Sequence, residues 1–95
     1  MKSLSFEWDD WKNQENQRKH GVSFEEAMSA FADLLSFTIS DPDHSRGERR
    51  YLLLGLSYQG RLLVVSHTER GETIRIIHAR RAGRREKRMH EEGED

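Results

Sequence analysis

The order of hydrophobic and polar residues predicts a strand and two helices in the first third of the chain. In LSFEWDD apolar and polar residues alternate, which is typical of a half-buried strand. A polar helix follows, capped by one of the two aspartates of this stretch, and it runs to about His20, where Gly21 ends it. In SFEEAMSAF the apolar residues recur at helical spacing, and Ser23 with Glu26 forms a capping box.

Four strands are predicted in the rest of the chain. LLSFTIS is typical of a strand, and DPDHSRGE is a loop around the only proline, Pro42. RRYLLLGLSY, RLLVVSHTE and ETIRIIHAR then form three strands in close succession. The turns between them lie at Gln59-Gly60 and Arg70-Gly71. Because turns this short permit only antiparallel hairpins, these three strands form a meander.

The resulting βααββββα order predicts an α+β fold, an antiparallel meander sheet with the two N-terminal helices on one face. LLLGL and LLVV are apolar at consecutive positions, so we expect both faces of the sheet centre to be covered. The second face needs either a partner protein or the last helix, from about Ala82 to Glu92. That helix has few apolar residues beyond Ala82 and Met89, so its own domain anchors it poorly.

Size and composition fit one domain spanning residues 1–95. Charged residues make up 35% of the chain and hydrophobic residues 34%, so the core is lean. A chain of this size buries about 60–65% of its unfolded surface, which makes folding possible but marginal. The chain has no cysteine, and no apolar run is long enough for a signal peptide or a membrane span. We therefore expect a soluble, cytoplasmic protein.

The net charge of −1 conceals a strong asymmetry along the chain. Residues 1–45 carry −5, residues 46–90 carry +8, and the last five residues carry −4. A local +8 attracts a polyanion even when the total is near zero, because charges act over roughly 8–10 Å in salt. The alternative is a basic face that is merely solvated.

Histidine and arginine side chains are expected to gather at one end of the sheet. Strict alternation along ETIRIIHAR places His78 and Arg80 on the side of the isoleucines at 74 and 76. On the neighbouring strand His67 shares one face with Leu63 and Val65. Hairpin pairing brings Arg50 near His67 or Thr68. This counting assumes a tight hairpin without a bulge.

Such a cluster suits RNA cleavage that requires neither a metal ion nor a cofactor. The 2′-hydroxyl attacks the adjacent phosphorus, and fixed cations stabilise the charge that builds on the phosphoryl oxygens. A histidine or lysine takes the hydroxyl proton, and another group protonates the leaving oxygen. The alternative is that the strand-end arginines pair with the N-terminal acids or hold phosphate passively.

Three smaller signals have structural explanations beside the functional ones. DPDHS offers two aspartates and His44 as metal ligands, but a turn explains these residues better. In RKHG, Lys19 and His20 stand at a helix C-terminus, where the helix dipole favours cations. Trp8 and Trp11 are able to stack on bases, yet beside a lean core we expect them to be packed.

Four stretches of the chain resemble the BrnT ribonuclease toxins of bacterial type II toxin–antitoxin systems. They are FEWDDWKNQENQRKHGVSFEEAMSAF, DPDHSRGERRYLLLG, GRLLVVSHTERG and IRIIHARRAGRREKRMHEEG, and they cover nearly the whole chain. The resemblance implies a RelE-like fold and an endoribonuclease activity that inhibits translation. It also implies a BrnA-type antitoxin partner that neutralises the toxin, with operator DNA bound through the antitoxin.

The resemblance also implies a set of site residues. The catalytic positions that match are Lys19, His20, Arg50, His67, Arg75 and Arg80, with Arg81 and Arg85 as RNA phosphate contacts. The chain departs from the usual family pattern at three positions. His78 replaces a serine, Gly83 replaces a threonine or serine that often caps the last helix, and Met89 stands where an aromatic residue is common.

The leading hypothesis is a metal-independent endoribonuclease toxin. Arg50, Arg75 and Arg80 hold the scissile phosphate, and His67, with Lys19 or His20 nearby, transfers protons. The second hypothesis is a non-catalytic interaction protein, an inactive toxin descendant that binds an antitoxin or nucleic acid through its basic patch. Direct DNA binding is weaker, because no helix carries both arginines and a supporting apolar face.

Overall fold

The computed structural model of the protein describes residues 4–93, and residues 1–3 and 94–95 lie outside the described part. The strands and helices occur in the predicted βααββββα order. They are β1 (Ser5–Glu7), α1 (Asp10–His20), α2 (Phe24–Ser29), β2 (Phe37–Ser40), β3 (Tyr51–Leu56), β4 (Leu62–Arg70), β5 (Thr73–Arg81) and α3 (Arg84–Glu92). A 3₁₀ turn at Ala30–Ala32 follows α2, and another at Pro42–His44 lies in the loop before β3. The predicted α+β class is confirmed.

Local capping explains where α1 begins and ends. The Asp9 side chain accepts a hydrogen bond of 3.0 Å from the Lys12 amide, which satisfies a free N–H of the first turn. At the other end Gly21 adopts the left-handed conformation with φ of 69°, and its N–H donates to the Gln17 carbonyl. Both ends of this helix are as the sequence predicts.

The capping box predicted for α2 is formed only in half. The Ser23 hydroxyl accepts from the Glu26 amide at 3.0 Å, as expected. The Glu26 carboxylate does not return to the helix start: it is 1% exposed and accepts hydrogen bonds from Ser57 and from the Arg61 guanidinium. A buried carboxylate needs a cation more than an amide, so the tertiary pair with Arg61 takes precedence.

The five strands form one sheet in the order β1-β5-β4-β3-β2. The pairs from β2 to β5 are antiparallel, as the short turns require. The first strand lies parallel to β5, with Ser5 opposite Thr73 and Glu7 opposite Arg75, so the sheet is mostly antiparallel with one parallel pair at its edge. A long connection separates β1 from β5, and therefore no hairpin constrains the direction of β1.

The main core lies between α2 and one face of the sheet. Its fully buried side chains come from α2, the following turn, and the strands β4 and β5: Phe24, Ala27, Ala30, Leu63, Val65 and Ala79. Phe6 of β1 contributes an edge-to-face contact with Phe31 at 5.1 Å between ring centroids. This surface is called the helix face below, and the opposite surface of the sheet is called the open face.

An asparagine fixes helix α1 to the backbone at the edge of β5. The Asn16 amide donates to the Ala79 carbonyl at 2.8 Å, and the Ala79 N–H donates to the Asn16 side-chain oxygen at 3.1 Å. Strand β1 pairs only with residues 73–75 of β5, so Asn16 satisfies backbone groups farther along that edge. The helix is thereby fixed where its side chains reach toward the open face.

The last helix covers part of the open face. Met89 of α3 lines an apolar cavity of about 100 Å³ together with side chains of the sheet: Phe37, Ile39, Leu52, Leu54 and Val64. Glu86 of the same helix also lines this cavity. The consecutive apolar residues of β3 and β4 predicted that the last helix or a partner protein covers this face. The last helix covers part of it.

The two tryptophans differ in their packing. Trp8 lies against Phe24 with ring centroids 6.2 Å apart, as expected. Trp11 is 67% exposed, so the expectation that it is packed was wrong. Trp11 stands on the outer side of a polar helix, whose inward positions are taken by Asn13 and Asn16. Within residues 4–93 no helix has the length and apolar character that crossing a membrane requires.

Candidate functional site

A β-bulge in β5 decides which side chains share a face. Ser66 pairs with His78, but His67 pairs with Ile76, so Ile77 is an extra residue on β5. Beyond the bulge the alternation of β5 is reversed. The side chains of Arg75, His78 and Arg80 therefore lie on the open face, and those of the isoleucines at 74 and 76 lie on the helix face. The prediction that His78 and Arg80 share the side of those isoleucines was wrong, because it assumed no bulge.

His67 lies on the helix face, inside the core. It is 1% exposed, its ring lies edge-on to Phe31 at 4.9 Å and stacks on Tyr51 at 5.9 Å, and its Nδ1–H donates to the Val65 carbonyl at 3.1 Å. Burial lowers the pKa of His67, so its imidazole is neutral. The predicted meeting of His67 with the arginines of β5 does not occur.

The open face carries a cleft of about 620 Å³ that gathers polar side chains from separate parts of the chain. Its titratable lining residues come from α1, the loop before β3, and β5: Lys12, Asp41, His44, Arg50, His78 and Arg80. Leu52, Val64, Ser66 and Ile77 form the remaining surface. Two of the predicted catalytic arginines, at 50 and 80, thus meet here.

A second cleft, of about 210 Å³, continues from the first along α1. The two share Lys12, Ile77 and His78, and the second adds Lys19 and His20 at the end of α1. The Nε2 atoms of His20 and His78 are 3.1 Å apart, and their rings are nearly perpendicular at a centroid distance of 4.7 Å. The predicted residues Lys19 and His20 therefore adjoin the arginine cleft through His78.

The surroundings of His78 favour its neutral form. Burial is the largest cause that lowers its pKa, and the positive charges of His20, Arg80 and Lys19 lower it further. A neutral imidazole at physiological pH has a free lone pair on one ring nitrogen and is able to accept a proton. His78 lines both parts of the cleft, so this proton acceptor is accessible to a ligand.

Two of the predicted arginines are held by carboxylates. Arg80 makes a bidentate pair with Glu86 of α3, at 2.9 and 2.7 Å, and Glu86 also accepts from the Gly83 N–H. Arg75 donates to Glu7 of β1 at 3.0 Å and does not line the cleft. Arg80 keeps a partly exposed side chain in the cleft, whereas Arg75 joins β1 to β5.

Arg50 is the arginine of the cleft whose charge is most available. Among the described residues no carboxylate lies within ion-pair distance of its guanidinium, and its backbone is fixed by hydrogen bonds with Ser45 and Asp41. Arg81 lies elsewhere, in a separate cleft of about 500 Å³ with Arg61 and Lys87. Arg85 is exposed on α3. The two predicted RNA contacts thus lie outside the open-face cleft.

Comparison with known proteins gives the family and the fold of this chain. A family model described as the ribonuclease toxin BrnT of type II toxin–antitoxin systems matches residues 8–86. The chain belongs to the BrnT family. The crystal structure of the Brucella abortus ribonuclease toxin, BrnT, matches at a TM-score of 0.58 and 23% sequence identity, over 86% of this chain and 100% of that one. That likeness shows a BrnT fold, while the RelE-like relation stays a prediction. No curated protein sequence matches the chain.

In this BrnT-family chain the DPDHS segment is a turn, as favoured from the sequence. Pro42–His44 form a 3₁₀ turn, and His44 pairs with Asp41 at 2.9 Å. Over residues 4–93 no group of three or more histidine, aspartate or glutamate side chains is placed to hold a metal ion. The turn instead brings Asp41 and His44 to the rim of the cleft.

Sequence reasoning missed two residues that build this candidate site. Lys12 lines both parts of the cleft, and Asn16 fixes α1 to β5. A signal for both was present, since positions 12, 16, 19 and 20 follow the i, i+4, i+7, i+8 spacing of one helix face. That stripe is polar throughout, so a search for apolar faces passes over it.

Proposed function

We propose that this chain is a metal-independent endoribonuclease toxin that cleaves RNA and thereby inhibits translation. The observation that carries the proposal is the open-face cleft, in which the cations Lys12, Arg50 and Arg80 adjoin the neutral imidazole of His78. Membership in the BrnT family supports the toxin role. The arrangement meets the needs of phosphodiester cleavage, which are a proton acceptor and fixed positive charge.

In the proposed mechanism His78 accepts the proton of the 2′-hydroxyl. The 2′-oxygen then attacks the adjacent phosphorus, a 2′,3′-cyclic phosphate forms, and the bond to the 5′-oxygen breaks. Lys19, in the adjoining part of the cleft, supplies a proton to the leaving 5′-oxygen. The Nε2 atom of His20 lies 3.1 Å from the Nε2 atom of His78. In the proposal this hydrogen bond holds the His78 ring in position, and the two nitrogens share one proton. Each step keeps protons and charge balanced without a cofactor.

The phosphate is held by charges from different elements. Arg50 provides the guanidinium without a carboxylate partner among the described residues, and Lys12 faces it from α1. Arg80 contributes positive charge while both of its terminal nitrogens remain bonded to Glu86. A fixed donor aimed at the developing charge is worth about 3 kcal/mol of transition-state stabilisation.

We assign His67 and Arg75 to the fold rather than to contact with RNA. The support is the burial of His67 between two aromatic rings and the pairing of Arg75 with Glu7. Arg81 and Arg85 remain proposed as contacts to more distant phosphates of a bound strand.

We also propose that a BrnA-type antitoxin neutralises this toxin in the cytoplasm, and that the complex reaches its operator DNA through the antitoxin. The support is membership in a family of type II toxins. The experiment that tests this part is co-expression with the neighbouring antitoxin gene, which is expected to restore growth and to yield a stable complex.

The cleavage itself is tested with purified protein, freed of any antitoxin, acting on a structured RNA in EDTA. Cleavage is expected, with 2′,3′-cyclic phosphate ends. His78→Gln is expected to lower the rate by roughly 10²–10⁴-fold and Arg50→Ala by about 10²-fold. Arg70→Ala, which lies outside both clefts and pairs with Glu48, is the matched control and is expected to keep the rate. Loss of all cleavage on chelation contradicts the proposal.

A second candidate is a non-catalytic interaction protein. The observation that favours it is the pairing of Arg75 and Arg80 with Glu7 and Glu86, which occupies part of the predicted cation set. Expression without an antitoxin separates the two candidates. Growth arrest that His78→Gln relieves supports the nuclease, and unimpaired growth at matched protein levels supports the interaction protein.

A further inference from the structure

We infer that His20 and His78 form a binding site for one transition-metal ion of the zinc class, with water completing the coordination. This inference goes beyond the proposed function, since metal binding at the pair does not depend on RNA cleavage. Its consequence for cleavage does rest on the proposed function, because the ion takes the lone pair that the nuclease needs.

The distance between the two rings carries the inference. Their Nε2 atoms lie 3.1 Å apart. Zinc–nitrogen bonds of about 2.0–2.1 Å at the tetrahedral angle place two imidazole nitrogens about 3.3 Å apart. The ring centroids are 4.7 Å apart at an interplanar angle of 80°, so the two rings meet at an angle rather than end to end. A small shift of either ring lets both nitrogens reach one ion.

The other histidines of the chain have different partners. His44 and His90 each lie 2.9 Å from an aspartate, and His67 is buried in the core. Among the described residues, no aspartate or glutamate lies within ion-pair distance of His20 or His78. An imidazole that faces a second imidazole through the ligating nitrogen is the arrangement that a chelating metal ion uses.

The two ligands are fixed on separate elements before any ion binds. His20 ends α1, and His78 lies directly after the bulge of β5. The two hydrogen bonds between Asn16 and Ala79 hold these elements together one helical turn away from His20. Preorganised ligands lose little conformational entropy on binding, which favours chelation over single-histidine binding.

The surroundings determine which ions bind and how tightly. Imidazole nitrogen suits Zn²⁺, Cu²⁺ and Ni²⁺ and does not suit Mg²⁺ or Ca²⁺. Lys12, Lys19 and Arg80 near the pair oppose a cation and weaken its binding, and the Glu15 carboxylate in the same cleft is bonded to Arg18. The pair supplies two protein ligands, half the number in a structural zinc site. We therefore expect a dissociation constant for Zn²⁺ on the order of 10 µM. Such binding is reversible.

Calorimetric titration with ZnCl₂ tests the site, on protein whose affinity tag has been removed and in buffer without chelators. Wild type is expected to bind one ion. His20→Gln and His78→Gln are each expected to weaken binding at least tenfold. His44→Gln removes another imidazole from the same face and is the matched control, expected to bind as wild type does. Far-UV circular dichroism checks that each variant is folded.

Ring-nitrogen NMR of wild-type protein gives a second measurement that needs no variant. Zn²⁺ is expected to shift the Nε2 resonances of His20 and His78 together, and to leave those of His67 and His90 in place. Binding that His44→Gln abolishes, or equal Zn²⁺ affinity in all three variants, overturns the inference. So does the absence of binding at 1 mM Zn²⁺, about 100-fold above the expected constant.

An RNA cleavage assay separates this inference from the proposed function. If the protein cleaves RNA, Zn²⁺ at the concentrations that saturate the site is expected to inhibit it, and EDTA to restore it. Zinc binding at the pair without any cleavage upholds the site and contradicts the nuclease. Cleavage that persists unchanged while Zn²⁺ is bound at the pair upholds the site and contradicts the assignment of His78 as the proton acceptor.

Discussion

At the scale of single residues, the two histidines of the central strands differ in what surrounds them. His67 lies between aromatic rings with one hydrogen bond to a carbonyl, while His78 faces an open cleft lined by lysine and arginine side chains. Burial is the main cause that lowers the pKa of both. In His67 the neutral ring serves packing, and in His78 we propose that it serves proton transfer.

The buried neutral state of His67 predicts a dependence of stability on pH. Its pKa is below that of the unfolded chain, about 6.5, so the unfolded state binds more protons as pH falls. The stabilising contribution is present above that value and is lost as pH falls through the folded pKa. We expect the free energy of unfolding, from urea titrations, to fall between about pH 7 and pH 5, and to fall less in His67→Gln.

His78→Gln is a useful comparison for this measurement, since the pKa of His78 is lowered in the same direction. Both variants are expected to flatten the curve, and His67→Gln more strongly because that ring is fully buried. Parallel curves for wild type and His67→Gln would show that His67 is not held neutral by the fold.

At the scale of elements, one buried ion pair joins α2 to the hairpin of β3 and β4. Glu26 is 1% exposed and is bonded to Arg61, which also donates to the Gly21 carbonyl at 2.9 Å. Arg61 is the first cause that holds the pKa of Glu26 below its ordinary value. The pair therefore stands where a capping box was predicted and connects helix to sheet.

Removing Arg61 is expected to leave an uncompensated charge in the core. Arg61→Ala is predicted to cost about 3–5 kcal/mol of unfolding free energy, measured by urea denaturation. Arg70→Ala, which breaks a pair with Glu48 that is about half exposed on both sides, is the control and is expected to cost about 0–1 kcal/mol. Adding Glu26→Gln to Arg61→Ala is expected to recover part of the loss. Equal losses for Arg61→Ala and Arg70→Ala would contradict this account.

Helix α3 is held by a few side-chain contacts rather than by a continuous apolar face. Glu86 bonds to Arg80, His90 bonds to Asp33 at 2.9 Å, and Met89 lies over β3. We expect amide hydrogen exchange in residues 87–92 to be much faster than in β4, because local opening of α3 exposes little apolar surface.

Glu86→Gln sharpens that prediction. It is expected to accelerate exchange in α3 further while exchange in β4 is unchanged, since the lost contacts belong to α3 and Arg80. Exchange in α3 as slow as in β4 would mean that the helix is an integral part of the core.

At the scale of the whole molecule, two separate clefts within residues 4–93 are lined by basic side chains. One is the open-face cleft with Lys12, Arg50 and Arg80, and the other is the cleft at the β3–β4 turn with Arg61 and Lys87. Carboxylates from other parts of the chain neutralise some of this charge, as in the pair of Arg80 with Glu86. A net charge near zero is therefore compatible with a local anion site.

The affinity for single-stranded RNA is expected to depend on salt according to the charges that contact phosphate. For a 2′-O-methyl oligonucleotide, which lacks the attacking hydroxyl, four cations in and beside the cleft predict a slope of log affinity against log salt of about −3. Arg50→Ala is expected to reduce that slope by about 0.7, and Arg70→Ala, outside both clefts, to leave it unchanged. A slope near zero would contradict electrostatic binding of RNA.

The local chemistry of the sequence determined the elements and their order. Asp9, Ser23 and Gly21 act on neighbouring backbone groups, and short turns permit only antiparallel hairpins, so caps and strand pairs were predictable from adjacent residues. The resemblance to BrnT rested on motifs along the whole chain and was confirmed by the family match. Lys19 and His20 were predicted at a helix end, and they lie there.

Only the tertiary structure decided which of the candidate side chains meet. The single extra residue Ile77 reverses the alternation of β5, and this separates His67 from Arg80 and places His78 beside His20. Such a bulge depends on how β5 packs against two neighbours at once, and no window of sequence contains those contacts. The alternation of residues along a strand predicts which side chains share a face only as far as the first bulge. In this protein His78 and Arg80 of the candidate site lie directly beyond such a bulge.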